Sequence, residues 1–230
     1  MSSYDAFAPI YDDWASHMTE DVEFYVGLAR EADGLVVELA VGNGRVAIPV
    51  AQAIGRPMLG IDSSPAMLAQ ARERAAEAGV ELELREQDMR DLTLEEPAAL
   101  VYCPFRGLLH LPTWRDRRQV FERVAAALRP GGRFAWNVFV FDPKIAARID
   151  GVWQEQAGIR HRVDQVSADY RIDITLEEGP GISLWWTTRS EWEGLVDVAG
   201  LEVEALYGWF DRRPYDEESE EQVWVARKPA

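Results

Sequence analysis

The sequence predicts an α/β fold: a doubly wound sheet, mostly parallel, with an antiparallel last strand and a small antiparallel β insertion after the fifth strand. Three observations carry this. Short apolar runs alternate with helical patterns from residue 20 to about residue 139, as strand–helix–strand units on a parallel sheet require. The first run, Leu35–Leu39, suits a strand buried on both faces and breaks at Gly42-Asn43-Gly44 before a helical pattern. Beyond residue 139 apolar and polar residues alternate, the pattern of antiparallel strands with one wet face.

Composition sets bounds. At 230 residues the chain fits one domain, residues 1–230, in which about 141–190 form an inserted cover. An apolar fraction of 47% is that of a globular protein. No apolar run reaches membrane-spanning length, and Met1-Ser2-Ser3-Tyr4-Asp5 lacks the basic and apolar regions of a signal peptide. A single cysteine, Cys103, excludes an internal disulfide framework. The expectation is a cytoplasmic protein without a membrane partner. A net charge of −16 opposes binding along a phosphate backbone, so nucleic acid is not expected as a partner. No spacing of His, Cys or paired acids reads as a metal site.

The elements follow in order. Residues 4–18 are aromatic and acidic, with a helix-breaking Pro9, and suit an arm anchored to the core. Thr19 can cap a helix whose first turn holds Glu20 and Asp21; it runs to about Ala32 and stops at Asp33-Gly34. Strand Leu35–Leu39 then ends in the Gly-x-Gly turn. Such a turn gathers backbone N–H groups and a positive helix end at one spot, and the missing Cβ atoms let a ligand lie against the main chain. Pro57–Ile61 is the second strand, ending at Asp62. Ser64 and Pro65 supply a cap and a first-turn proline for a helix to Ala78, closed by Gly79. Val80–Leu84 and Ala98–Cys103 are the third and fourth strands. Thr113 and Asp116 open a helix to Leu128 with Val120, Phe121 and Val124 at helical spacing. Arg129-Pro130-Gly131-Gly132 turns into a fifth strand, Arg133 to about Phe139.

Tyr170–Leu176 and Ile182–Trp186 read as a hairpin about Gly179-Pro180-Gly181, with 159–166 a candidate third strand. Ser190 and Glu193 form a capping box, and Gly200 closes that short helix. Strand Leu201–Tyr207, an acidic loop at 216–221 and strand Gln222–Ala226 finish the chain.

The turn alone fits two chemistries. Gly42, Gly44 and Ala47 satisfy G-x-G-x-x-A with Asp62 about twenty residues on, as in a nicotinamide-dependent oxidoreductase. That alternative lacks an obvious Tyr-x-x-x-Lys pair and leaves the downstream motifs unexplained. Taken together, Glu38-Leu-Ala-Val-Gly42-Asn-Gly44, Gly60-Ile-Asp62-Ser-Ser64, Glu86-Gln-Asp88-Met89 and Leu128-Arg-Pro-Gly-Gly132 resemble the class I S-adenosylmethionine (SAM)-dependent methyltransferases. The resemblance covers roughly residues 4–140, and the C-terminal strands more loosely. It implies a Rossmann-like seven-stranded sheet, SAM as cofactor, and in-line methyl transfer that leaves S-adenosylhomocysteine (SAH).

The resemblance also implies the cofactor residues: Tyr11, Glu38, Ala40, Gly42, Gly44, Asp62, Ser63, Met67, Asp88, Met89, Cys103 and Phe105. Tyr11 would meet the methionine end and Asp62 the two ribose hydroxyls. Met67 would lie on the adenine, Asp88 accept its amino group and Met89 offer a backbone N–H to the ring. Each has a plainer role open to it: anchor for Tyr11, helix cap for Asp62, core packing for Met67, a solvated loop acid for Asp88. Arg106 departs from the small polar residue the family often carries there. The overall plan looks like the methyltransferases that act on small molecules such as amino sugars, amino acids and natural products. A SAM-binding protein that does not methylate is a third reading.

Methyl transfer from a sulfonium needs donor and acceptor in line, and a hydroxyl, phenol or carbon acid gains from a nearby base. Of His17, His110 and His161, His110 lies just past the fourth strand and is the best base candidate, with helix-start packing as its other role; Tyr11 is the second catalytic candidate. Cys103, at the end of a buried strand with no histidine beside it, reads as packing rather than as a nucleophile. The acceptor pocket should combine the N-terminal arm, the loop at 104–111 and the insertion. Trp136, Trp153, Trp185, Trp186, Trp192 and Trp209 either line it or fill the core behind it. The exposed edge of an inserted sheet makes a homodimer plausible. The methylated atom, nitrogen, oxygen or carbon, stays open.

Overall fold

The computed structural model describes residues 3–15, 18–156, 158–166 and 169–230. Two short 3-10 turns, Ser3–Asp5 and Ala8–Ile10, and α1 (Tyr11–Ala15) form an N-terminal arm. The alternation expected from the apolar runs follows: α2 (Glu20–Glu31), β1 (Leu35–Leu39), α3 (Ala47–Ile54), β2 (Met58–Asp62), α4 (Pro65–Ala78), β3 (Leu82–Glu86), β4 (Ala98–Cys103), α5 (Trp114–Ala127) and β5 (Leu128–Phe139). Then come α6 (Pro143–Ile149) and four short strands: β6 (Trp153–Gln156), β7 (Ile159–Val166), β8 (Arg171–Leu176) and β9 (Ile182–Trp185). The chain closes with α7 (Arg189–Val198), β10 (Glu202–Tyr207) and β11 (Glu221–Arg227).

The main sheet has seven strands in the order β10-β11-β5-β4-β1-β2-β3. The pairs among β1 to β5 are parallel, and β11 runs antiparallel to both of its neighbours. From β1 the chain winds outward to β3, then crosses back to β4 on the other side of β1. The strand order therefore reverses between β1 and β4, and the crevice outside their carboxyl ends is where a ligand lies in such a sheet.

Each face of the sheet is buried. Val37, Leu39, Val101, Phe121, Phe134, Trp136 and Trp192 fill one side, and Phe24, Val36, Val50, Leu100, Tyr102 and Val223 the other. Trp136 stacks on Trp224 at 5.6 Å and 4°. Trp136, Trp192 and Trp224 are among the largest fully buried side chains. Burying such a ring stabilises the fold by about 1.5–3 kcal/mol, so these tryptophans are core rather than cover.

β6-β7-β8-β9 make a separate antiparallel sheet. Its inner face carries His161, Val163, Ile174, Leu176, Ile182 and Leu184, all buried. The other face carries ion pairs, Arg162 with Asp164 at 2.9 Å and Arg171 with Asp173 at 3.0 Å. Strand β6 and helix α6 are additions to the expected elements.

Other differences are local. The capping box of α7 is Thr188 with Glu191, not Ser190 with Glu193, because Glu193 is taken by Arg189 at 2.7 Å. Thr19 stands at the start of α2 without a side-chain cap; its N–H instead donates to Glu20 at 3.0 Å. β3 begins at Leu82 rather than Val80, since the Val80 N–H still bonds back to Ala75 at 3.0 Å. β5 begins at Leu128 and takes in the Pro130-Gly131-Gly132 segment, where the Gly131 N–H donates to the Lys228 carbonyl and the Lys228 N–H to the Gly132 carbonyl, both at 2.9 Å, just past the end of β11.

Candidate active site

The loop after β1 is built around left-handed backbone: Ala40 (φ 53°), Gly42 (φ 54°) and Gly44 (φ 83°). It brings the Gly42 N–H to Asp62 Oδ2 at 2.8 Å, while Asp62 Oδ1 accepts from the Ser64 N–H at 2.8 Å. Asp62 is thereby fixed at the end of β2. Burial raises its pKa, and the backbone N–H groups of Ser64, Gly42 and Ser63 oppose that rise. The two glycines have separate reasons. A Cβ on Gly42 would project beside the Tyr11 ring at 3.9 Å, on a cavity wall; a Cβ on Gly44 would meet Ile48 Cδ1 at 2.9 Å, behind the wall.

A cavity of about 550 Å³ opens at this point, above the switch in strand order. Glu38, on β1, is 1% exposed and accepts from the Tyr102 hydroxyl at 2.6 Å. Burial pushes its pKa up to about 8, against the pull of Tyr102 and Arg45. Arg45 donates to the Met18 carbonyl and to Asp21, both at 2.8 Å, and its guanidinium lies 4.7 Å over the Phe105 ring. Tyr11, edge-on to Phe105, is raised to about 12 by burial. On the far wall Asp88 is held by the Arg90 side chain, whose hydrogen bonds keep its pKa low, and Arg90 also reaches Asp116 at 3.0 Å.

The N-terminal arm closes one side. Asp12 accepts from Asn43 at 2.8 Å and from Arg74 at 2.9 Å, Asp5 from the Ser64 hydroxyl at 2.7 Å, and the Ala8 carbonyl from Gln70 at 3.1 Å. The arm also reaches the loop after β4: Tyr4 and His110 lie 2.7 Å apart, hydroxyl to Nε2. Burial pushes the His110 imidazole down to about 4, with a backbone hydrogen bond at Ser183 opposing. Leu111, Pro112, Ile182, Ser183 and Trp185 complete the rim, so the loop after β4 and strand β9 both contribute.

Of the residues expected at a cofactor site, all line this cavity except Gly44 and Cys103, and His110 lines it as well. Cys103 is fully buried with its thiol pKa raised by burial, and its Sγ would lie 2.7 Å from a Cβ on Gly107. His161 packs edge-on against Trp14 at 5.3 Å, in the inserted sheet's inner face. His17 lies outside the described residues. Tyr4, Arg45, Arg90 and Ser183 are wall residues that no motif marked, while Trp185 lines the cavity as one of the tryptophans expected there or in the core behind it. For Arg45 and Arg90 the signal was adjacency to Gly44 and Met89; Tyr4 had none beyond its place in the aromatic arm.

The wall fits SAM in its chemistry. It offers carboxyl groups on β1, at the end of β2 and beyond β3 for an ammonium, a diol and an exocyclic amine, and glycine backbone where a Cβ would intrude. Gln87 Oε1, on the same wall, is buried with no hydrogen-bond partner.

Fold and site are similar to those of the class I SAM-dependent methyltransferases. Residues 36–132 match the family described as "Methyltransferase domain". It is 28% identical to the 27-O-demethylrifamycin SV methyltransferase of Amycolatopsis mediterranei, over 88% of this chain and 85% of that one. The CcbJ methyltransferase of Streptomyces caelestis has the same fold, with a TM-score of 0.85, 24% identity and coverage of 100% and 99%. So does SAM-bound CalS10, an amino pentose methyltransferase from Micromonospora echinaspora, at a TM-score of 0.69, 22% identity and 96% of each chain. The seven-stranded, mostly parallel sheet and SAM use expected from the sequence stand.

Proposed function

We propose that this enzyme methylates a small organic acceptor held between the N-terminal arm, the loop at 104–112 and the four-stranded sheet. The observation that carries this is the extent of the cavity beyond its carboxylate wall, to a rim of Leu111, Pro112 and Trp185 on two separate elements. A rifamycin and an amino pentose as acceptors of similar proteins support a small natural-product substrate. Residues of about 141–190 then serve as the acceptor's cover. A cytoplasmic setting suits the single buried thiol, and a homodimer would pair through the outer edge at β6.

SAM bound here supplies a methyl group on an already activated sulfonium sulfur. The chain's own residues bind and orient. Asp62 receives the ribose hydroxyls on its remaining lone pairs, and Glu38, the Gly42 backbone and Tyr11 hold the methionine end. Met67 and Met89 enclose the adenine, whose amino group Asp88 accepts. The arm and β9 exclude water. His110 stays neutral at physiological pH and Tyr11 stays protonated, so neither is poised as a strong base; positioning supplies the rate.

Calorimetric titration with SAH, SAM and NAD, each alone, tests the assignment. Micromolar SAH or SAM affinity without an NAD response is expected, and Asp62→Ala should weaken SAH at least tenfold while the protein stays folded. NAD binding without a response to either sulfur ligand would overturn it. SAM binding with no SAH release over a broad acceptor panel would leave a SAM-binding protein that does not methylate.

A further inference from the structure

Just past β4 the chain runs through two consecutive left-handed residues that are not glycine, Phe105 (φ 51°) and Arg106 (φ 63°). Left-handed backbone is disfavoured roughly tenfold for each residue that carries a side chain. A pair in sequence therefore persists only where its surroundings hold it. Directly after the pair the path is tight. The Gly107 N–H donates to the Pro104 carbonyl at 3.1 Å, and a Cβ on Gly107 would meet Cys103 Sγ at 2.7 Å and Ala40 Cβ at 3.3 Å.

The Arg106 side chain supplies the hold. Its Nε donates to Glu221 Oε1 at 2.7 Å, and a second guanidinium nitrogen donates to the same oxygen. The guanidinium also lies 5.4 Å over the Phe139 ring, and Phe139 is the register partner of Glu221 across β5 and β11. Glu221 is fully buried and fixed from behind: its other oxygen accepts from the Asn137 amide at 3.2 Å, and Asn137 accepts from the Tyr25 hydroxyl at 3.0 Å. The turn is thus tied to an immobile point on the main sheet. What it delivers to the cavity wall is the Phe105 ring, edge-on to Tyr11 at 6.1 Å and 4.7 Å from the Arg45 guanidinium. Arg106 lies behind that wall rather than on it.

We propose that Arg106 is a positioning residue for the amino-acid end of the cofactor: through Glu221 it holds the left-handed turn that sets the Phe105 ring beside Tyr11 and Arg45. This rests on the methyltransferase reading, in which Tyr11 and Glu38 receive that end. The ion pair gives a physical role to an arginine where the resemblance leads one to expect a small polar residue. Without it the turn is free to leave the left-handed region. Apparent affinity then falls by the fraction of molecules that still present the ring, and only a ligand that reaches the ring senses the change.

Two ligands separate this from a general loss of structure. SAH carries the amino-acid end; 5′-methylthioadenosine keeps the nucleoside and the sulfur and lacks that end. Arg106→Ala with Glu221→Gln removes the anchor without leaving a buried charge unpaired. Calorimetric titration of this pair variant should show SAH about tenfold weaker and methylthioadenosine within about twofold of wild type, with melting close to wild type. Arg106→Lys, which keeps a cation facing Glu221, should hold SAH within about threefold of wild type. Phe105→Ala should weaken SAH about tenfold, and adding it to the pair variant should weaken SAH no more than about twofold further, since both changes act through one ring. Equal losses of both ligands, unchanged SAH affinity in the pair variant, or losses that add in full with Phe105→Ala would overturn the proposal. Should the pair variant unfold, Glu221→Gln alone carries the test, since it leaves Arg106 an oxygen without the charge. SAH about threefold weaker with methylthioadenosine unchanged then supports the proposal, and parallel losses or none overturn it. A wild-type protein that binds neither ligand would sink the methyltransferase reading instead, a distinct result.

Discussion

Replacing Glu38 with glutamine should remove a pH dependence of stability that the buried carboxyl creates. The carboxyl is 1% exposed, and burial shifts it from an ordinary value of 4.5 to about 8 in the folded protein. Between those values the folded state holds a proton that the unfolded state has released, so stability falls as pH rises. The slope approaches about 1.4 kcal/mol per pH unit. Over the whole window the loss is on the order of 5 kcal/mol, and from pH 6.5 to 8 on the order of 2 kcal/mol. His110 acts in the opposite direction, since its folded value of about 4 lies below the ordinary 6.5, so its contribution rises with pH in that acid range. From pH 6.5 upward only about 0.4 kcal/mol of that term is left to appear, small beside the Glu38 slope. Urea denaturation at pH 6.5, 7.25 and 8 measures it directly. Wild type should lose stability across the series and Glu38→Gln should stay flat. A flat wild-type series, or an equal decline in the variant, would refute the argument that the carboxyl is held neutral by burial.

The two glycines should separate by assay. Gly44→Ala, with φ 83° and Ile48 Cδ1 at 2.9 Å, should cost about 1–3 kcal/mol of stability in urea melts. Gly42→Ala, whose Cβ enters the cavity, should weaken SAH binding by more than its stability loss accounts for. Arg106 sits in left-handed backbone after Phe105, also left-handed, and donates to Glu221 at 2.7 Å. Glu221 is fully buried, so Arg106→Ala leaves it without its cation and should cost about 3 kcal/mol, which Arg106→Ala with Glu221→Gln should largely restore.

Sequence legibility followed the reach of each signal. The helix Pro65–Ala78 was readable to its ends because Ser64, Pro65 and Gly79 act locally, and the structure keeps each: Ser64 accepts from the Met67 N–H at 3.2 Å and Gly79 takes φ 66°. Strands β1 and β4 were equally plain as apolar runs between breakers. The α7 cap was ambiguous because Thr188-Arg-Ser190-Glu191-Trp-Glu193 contains two overlapping boxes. A neighbouring bond decided it: Thr187 donates to Glu191 while Arg189 holds Glu193. β6, Trp153–Gln156, has too little alternation to announce a strand and exists because β7 pairs with it.

The site divides the same way. Glu38, Asp62 and Asp88 are legible because each follows from the end of a strand whose position the sequence fixes locally. Tyr4 meets His110 across 106 residues of chain, a contact created by how the arm folds back, and no local pattern encodes it. Cys103 carries the opposite lesson. Tyr102 pairs with Glu38 in register across β1 and β4 and shares its face, so with a period of two the next side chain must point to the opposite face. Cys103 accordingly enters the core cluster with Trp136, and Gly107 comes so close to its sulfur that no larger residue fits there. Proximity of a strand end to the ligand crevice therefore does not place its side chain on the cavity wall; the parity of the residue along the strand decides that.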